Sequence, residues 1–224
     1  MTRKNTKREQ LVSAANDLFY RQGFRRTTLA DIARTSGVPL GNVYYYFKTK
    51  DDLGTAVIEA RRCELERRRY QWEKPASPRE RLLAFLRMPE ELADRVAHHG
   101  CPLGSLLQEL HKQPGGLTAK ADALLEHQIE WITRQFRDMG ETQPREQALH
   151  LIAVLQGAGL LANAFNDPDI LRREARRLRD WVRSLDGEAA FALFKPLPHT
   201  GASGHERPQR PQPRDPVTGD GGHP

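Results

Sequence analysis

Two stretches of the chain carry residues whose types and spacing could do chemistry. In the first, Leu40, Gly41 and Asn42 precede Val43 and three consecutive tyrosines, Tyr44 to Tyr46. A primary amide can pair bidentately with the edge of adenine, so Asn42 is the strongest candidate base reader. Leu40 can lie against a thymine methyl, and Gly41 lets a backbone come close. In the second stretch, His98-His99-Gly100-Cys101-Pro102, a proline suited to a first helical position follows a cysteine. A thiol at a helix N-cap is activated by the helix dipole, and neighbouring imidazolium assists. Such a thiol can sense electrophiles or oxidants. The alternative is a small buried cysteine beside a turn. Metal binding by His98, His99, Cys101 and His111 is disfavoured, because adjacent histidines point apart and no second cysteine is near. No cofactor is implied.

The first stretch needs a frame. Thr28 can accept a bond from a first-turn amide, Leu29, Ile32 and Ala33 recur at helical spacing, and Gly37 suits a left-handed cap. Pro39 opens the next segment. Two short helices around a glycine-containing turn form a helix-turn-helix, whose second helix enters the DNA major groove. Upstream, Leu11, Ala14, Ala15, Leu18 and Phe19 share one face of a helix predicted over residues 7–22. That helix completes a three-helix module. Val43 and Phe47, four apart, belong to the core. Of the three tyrosines one must point inward, and Tyr45 is expected to be the least exposed to DNA.

Taken together, Leu11 to Tyr20, Gly23-Phe24, Thr27 to Ala33, Ser36-Gly37-Val38, Val43 to Phe47 and Lys50 to Leu53 resemble the TetR/AcrR family of bacterial repressors. The resemblance implies an all-α fold. A helix-turn-helix DNA-binding domain occupies residues 1–49, and a helical ligand-binding and dimerisation domain occupies 50–195. It also implies a homodimer paired through the helices at 144–185, a palindromic double-stranded operator, and release by a small-molecule or electrophile inducer. By position, Thr27, Thr28, Tyr44, Tyr46 and Lys50 match phosphate contacts, while Leu40, Gly41 and Asn42 face the groove. Pro39-Leu40-Gly41 departs from the family's usual polar opening of that helix. Gly100 to Gly104 is similar to a segment of members that respond to electrophiles or oxidants. The fourth helix, about 50–73, links reading head to body in that family.

The charge agrees. Net charge is +6, and the first fifty residues hold ten Lys/Arg against three Asp/Glu, so the positive field sits on the module that would meet phosphate. Two cysteines, Cys63 and Cys101, cannot form a disulfide framework and suit a reducing cytoplasm. Cys63 reads as structural. No signal peptide is read at the N-terminus. Leu151 to Phe165, interrupted by Gln156 and Asn163, is read as too short to span a bilayer and as a buried helix.

Further helices are expected at Ser77 to Leu86, Pro89 to His98, Pro102 to His111, Thr118 to Met139, Pro144 to Phe165 and Pro168 to Leu185, with a short one at Gly187 to Phe194. Residues 61–70, dense in Arg and Glu, read as a solvated face. A ligand pocket is expected between the helices from Ser77 to Phe165. Its expected liners are Leu103, Leu106, Leu107, Leu110, Trp131, Phe136 and Gln156, beside Cys101, His98 and His99. Plain core packing is the alternative for each. From 196 onward the chain is rich in Pro, Gly, His and Arg and is expected to be disordered. Met1 to Thr6 reads as a basic arm. No Ser/His/Asp set, metal motif or phosphate loop points to an enzyme. The rival readings are a thiol-dependent helical enzyme and an architectural DNA binder without a ligand.

Overall fold

The computed structural model describes residues 6–112 and 115–185. Those residues hold eleven helices and no strand. The expected arm at 1–5, the short helix at 187–194 and the tail from 196 lie outside them.

Side-chain caps set the starts of the first helices. Thr6, Thr28 and Thr49 open α1 (Lys7–Gln22), α2 (Leu29–Ser36) and α4 (Lys50–Trp72), each in a capping box with Glu9, Asp31 and Asp52 respectively. Thr6 is therefore part of the head, not of an arm. α3 (Leu40–Tyr46) follows Gly37, whose φ of 70° provides the left-handed turn. Ser77 caps α5 (Pro78–Phe85), with Pro at the first position. The single helix expected near 89–98 is instead two, α6 (Arg87–Glu91) and α7 (Ala93–His99), meeting at Leu92. Pro89 lies in the first turn of α6, where its missing amide hydrogen is tolerated. α8 (Pro102–Lys112), α9 (Thr118–Asp138), α10 (Pro144–Phe165) and α11 (Pro168–Ser184) complete the body.

The head does not close its core alone. Leu11, Ala15, Ile32, Val43, Leu53 and Val57 are wholly buried, and Leu106, Leu107 and Leu110 of α8 pack into the same cluster with Leu117 and Ala121. Gly54 permits that approach: a methyl there would stand 2.7 Å from a Leu117 methyl and 3.0 Å from the Phe24 ring. A second cluster gathers Trp72, Phe85, Trp131, Phe136, Leu151 and Val182. Trp72 meets Phe85 edge-on at 5.1 Å, a favoured aromatic geometry. A third, smaller cluster joins α7 to α10 and α11 through Val96, Ala158, Ala162 and Leu171.

α10 corrects two expectations. It is not buried on most sides within one chain, since Leu149, Leu160, Leu161 and Phe165 are exposed, Leu160 by 62% and Phe165 by 70%. Nor is it too short: starting at Pro144 it runs 22 residues and is long and apolar enough to cross a membrane by length and composition. Its other face is fixed in the body. Ala148, Leu151, Ile152, Ala158 and Ala162 are buried, and the Asn163 amide donates to the Ala97 carbonyl at 2.8 Å.

Candidate functional site

The exposed surface of α3 is set by two inward residues. Val43 and Phe47 lie four apart on the core face, with Val43 wholly buried. The remaining arc holds Leu40, Tyr44, Tyr45 and Tyr46, all exposed. No tyrosine turns inward, because Val43 and Phe47 already fill that face. Tyr45, expected to be the least presented, is 76% exposed, and its ring meets Tyr46 edge-on at 5.0 Å. Asn42 is partly exposed and Gly41 exposed, with open space where a side chain would stand at Gly41. Pro39 precedes the helix without a side-chain cap, and its carbonyl accepts from the Asn42 amide at 2.8 Å.

The residues matched to phosphate contacts divide into two groups. Tyr44 and Tyr46 present their rings to solvent. Thr28 is exposed, but its hydroxyl is engaged, donating to the Asp31 carboxylate at 2.7 Å and accepting from the Asp31 amide at 3.1 Å. That hydroxyl, the Thr28 amide and then Arg34 hold the Asp31 carboxyl below the usual carboxylate range. Thr27 is only 1% exposed and donates to the Gly23 carbonyl at 2.7 Å. The Lys50 ammonium donates to the carbonyls of Phe24 (3.0 Å) and Arg25 (3.2 Å), above the Phe24 ring at 4.6 Å. Thr27 thus braces the turn between α1 and α2 from inside, which corrects its expected place on the contact surface, while the partly exposed Lys50 spans the same turn through its two carbonyl bonds. Arg25, Arg26 and Lys48 are exposed instead. For Arg25 and Arg26 the signal is a basic pair directly before the two threonines, and for Lys48 a basic residue directly after Phe47.

The body holds a cavity of about 500 Å³. It is not framed by the helices from Ser77 to Phe165 alone, as expected. Asn16 and Tyr20 of α1 and Arg61 and Leu65 of α4 line it as well. From α5 to α10 come Phe85, Met88, Leu92, Arg95, Val96, Leu124, Ile152 and Leu155. Of the predicted liners it gathers Cys101, Leu103 and Gln156. Leu106, Leu107 and Leu110 are buried in the head core, and Phe136 in the second cluster. Trp131 is buried beside a separate, more polar groove, its indole donating to Glu73 at 2.9 Å. His98 and His99 do not line the cavity: His98 bonds the Asp94 carbonyl at 2.8 Å, and His99 packs on Tyr20 at 5.3 Å.

Cys101 stands immediately before α8. Its sulfur accepts from the Gly104 amide at 3.4 Å and from the Gln156 side-chain amide at 3.5 Å. Neither histidine is a partner of the sulfur among the described hydrogen bonds. Gly104 allows Gln156 to approach, since a methyl there would lie 2.5 Å from the Gln156 side-chain oxygen. Cys63, expected to be structural, is exposed on α4 with Glu59 as its partner at 3.8 Å.

Arg61 was the residue the sequence hid in plain view. It lies in the stretch that reads as solvated, yet it continues the ridge Leu53, Val57, Arg61, Leu65 at four-residue spacing, and it is half-buried. It donates to Asn16 at 2.8 Å and to the Pro102 carbonyl at 2.6 Å. Burial lowers its affinity for its proton. Tyr20 crosses the same end of the cavity. Its hydroxyl donates to the carbonyls of Arg95 (2.8 Å) and Gly100 (3.1 Å), and burial pushes its pKa up.

α8 joins the two sites. Its N-terminal end carries Cys101 and Leu103 at the cavity, and its far end carries Glu109 at the head. The Glu109 carboxylate accepts from the Arg25 amide at 3.1 Å, and the Arg25 guanidinium donates to the Glu109 carbonyl at 3.2 Å. Gly23, at φ 91°, leaves room for that carboxylate.

Residues 11–57 match the family model described as bacterial regulatory proteins, tetR family. The chain is 30% identical over 133 residues to the transcriptional regulator AcuR of Cereibacter sphaeroides, covering 58% of this chain and 61% of that one. It is 43% identical over 53 residues to the regulator TtgR of Pseudomonas putida, covering 24% of this chain and 25% of that one. Both matches span less than two thirds of the relative. A crystal structure of a regulatory protein TetR from Rhodobacter sphaeroides superposes with a TM-score of 0.70 at 28% identity, over 79% of this chain and 98% of that one.

Proposed function

The chain belongs to the TetR/AcrR family of transcriptional regulators, with a helix-turn-helix DNA-binding domain, and from that premise we propose that it is a homodimeric repressor of a palindromic operator in the cytoplasm. One observation carries the reading: α3 holds Leu40, Tyr44, Tyr45 and Tyr46 outward over an inward Val43 and Phe47, on the basic end of the chain. In this reading Leu40, Gly41 and Asn42 meet base edges, while Tyr44, Tyr46 and the exposed Arg25, Arg26 and Lys48 meet phosphates. Thr28 offers its place at the N-terminus of α2, where a phosphate is favoured by the helix end.

The exposed apolar stripe of α10 is the dimer face, because apolar patches of this kind mark association surfaces. The cavity takes the inducer. A ligand that binds one body conformation better weakens DNA binding by the same factor, about 1–3 kcal/mol in typical cases. α8 carries the change, since it lines the cavity at one end and holds the head at the other. Cys101 favours a thiol-reactive inducer as one form of the signal: its sulfur lies in the cavity between two amide donors.

The test is selection of bound sequences from a random duplex pool at a fixed salt concentration. The expected result is a palindrome whose half-sites lie about one helical turn apart or a multiple of it. Absence of any enriched sequence would sink the repressor reading in favour of an architectural DNA binder.

A further inference from the structure

A half-buried charge normally has an opposite charge beside it, because leaving it bare costs more than the pairing returns. Arg61 breaks that rule. Its partners are a neutral amide and a neutral carbonyl, and no carboxylate lies within ion-pair distance of it among the described residues. The acids that share the cavity wall are already engaged. Asp17 pairs with Arg21 at 2.9 Å, and Glu64 with Arg67 and Arg68, both at 2.9 Å. The charged and titratable groups that act on Arg61 are Cys101 and Tyr20.

A second cation stands at the same end. The Arg95 guanidinium lies 5.1 Å from the Tyr20 ring centre and has no carboxylate partner among the described residues. Tyr20 spends its hydroxyl hydrogen on two backbone carbonyls, so it offers a ligand no donor of its own. Leu65, one turn along α4 from Arg61, joins Met88, Leu124 and Leu155 in an apolar part of the lining.

We infer that this cavity binds a small organic anion with an apolar tail, its carboxylate seated on Arg61 beside Arg95 and its chain running toward Leu124 and Leu155. The inference deepens the regulator reading by naming the chemical class of the inducer. A guanidinium offers two parallel N–H donors that match a carboxylate in a fork, and the apolar wall takes the tail. Cationic amphiphiles are excluded by like charge. Neutral ones leave Arg61 without a counter-ion.

Calorimetric titration of the full-length protein with octanoate, octanol and octylamine tests this at neutral pH. The expected result is octanoate binding tighter than either analogue by about tenfold or more. Arg61→Gln should erase that preference while leaving octanol unchanged, and Arg61→Lys should restore part of it. Because Arg61 also braces Asn16 and Pro102, circular dichroism accompanies each variant. If Arg61→Gln does not fold, the exposed Arg95→Gln serves in its place and should weaken octanoate alone. No octanoate binding, equal affinity for octanoate and octanol, or octanoate binding untouched by the folded variants would each overturn the seat. Operator binding is read separately. Arg61-dependent octanoate binding without any sequence-specific DNA binding would uphold the seat and remove the regulator reading. Specific DNA binding with no octanoate preference would do the reverse.

Discussion

Glu109 and Arg25 hold each other through both side chain and backbone. The carboxylate of one accepts from the amide of the other, and the guanidinium returns to the first residue's carbonyl, at 3.1 and 3.2 Å. The contact is exposed, so its worth lies in position more than in energy. It ties the end of α8 to the turn that opens the reading head. Glu109→Ala is expected to leave ligand affinity in the cavity unchanged while reducing the ligand-driven loss of operator affinity by about half or more. Fluorescence anisotropy on an operator duplex, with and without saturating ligand, reads the coupling directly. Coupling of unchanged size would move the path away from α8.

Asn42→Ala should relax specificity at one position in each half-site, at a cost of about 1–3 kcal/mol against the preferred base. Arg26→Ala should weaken all sequences alike and lower the salt slope. Repeating the sequence selection with both variants separates base reading from phosphate contact. An unchanged preference in Asn42→Ala would remove it from the reading set.

The Thr28–Asp31 box has a pH signature. The folded pKa of Asp31 is lowered, first by the Thr28 hydroxyl and then by the Thr28 amide. Its stabilisation is therefore fully present above the unfolded value of 3.8 and is lost as pH falls through the lower folded value. Thr28→Ala should raise the Asp31 pKa and lower Tm by about 2–4 °C at neutral pH. Carbon-13 titration of the Asp31 carboxyl and thermal melts check the two halves independently.

Cys63 is the more exposed thiol and Cys101 the one inside the cavity wall. A thiol-reactive compound should therefore modify both, and only the second should matter. Release of operator DNA is expected to persist in Cys63→Ser and to be abolished in Cys101→Ser, with mass spectrometry confirming the adducts. Retained release in Cys101→Ser would leave the inducer as a reversible ligand.

Leu160→Glu should split the dimer proposed above, since it places a charge in the middle of the exposed stripe of α10. Sedimentation velocity should then show a monomer with native helix content, and operator affinity should fall by about tenfold or more. A dimer that survives would place the interface elsewhere.

The helices were readable wherever a cap marked their start. Thr28, Thr49, Ser77 and Pro168 all open helices as their types and spacing predicted. The orientation of α3 is half readable: the inward pair Val43 and Phe47 follows from periodicity, but the outward placement of all three tyrosines between them does not. Two inward residues four apart leave three neighbours on the outer arc, so no tyrosine needed a place in the core. The cavity was least readable. Cys101, Leu103 and Gln156 were found, while Tyr20, Arg61 and Arg95 were not. Local pattern shows which face a residue shares, and Arg61 did share the apolar ridge of α4. What it does not show is that α1 closes one wall of the cavity, because that depends on how distant helices cross. The same holds for Thr27 and Lys50, whose types suit a phosphate but whose neighbours are backbone carbonyls.

The joint core of head and body bears on modularity. Leu106, Leu107, Leu110 and Leu117 complete the packing that Leu11, Ile32 and Val57 begin, with Gly54 as the place where the two parts close together. A reading head excised after residue 49 would expose the surface that α4, α8 and Leu117 cover. Chimeras that exchange specificity between relatives should accordingly keep α8 and the start of α9 with the head they accompany. Exchange limited to α3, whose outward side chains touch little of that core, is the graft the architecture tolerates.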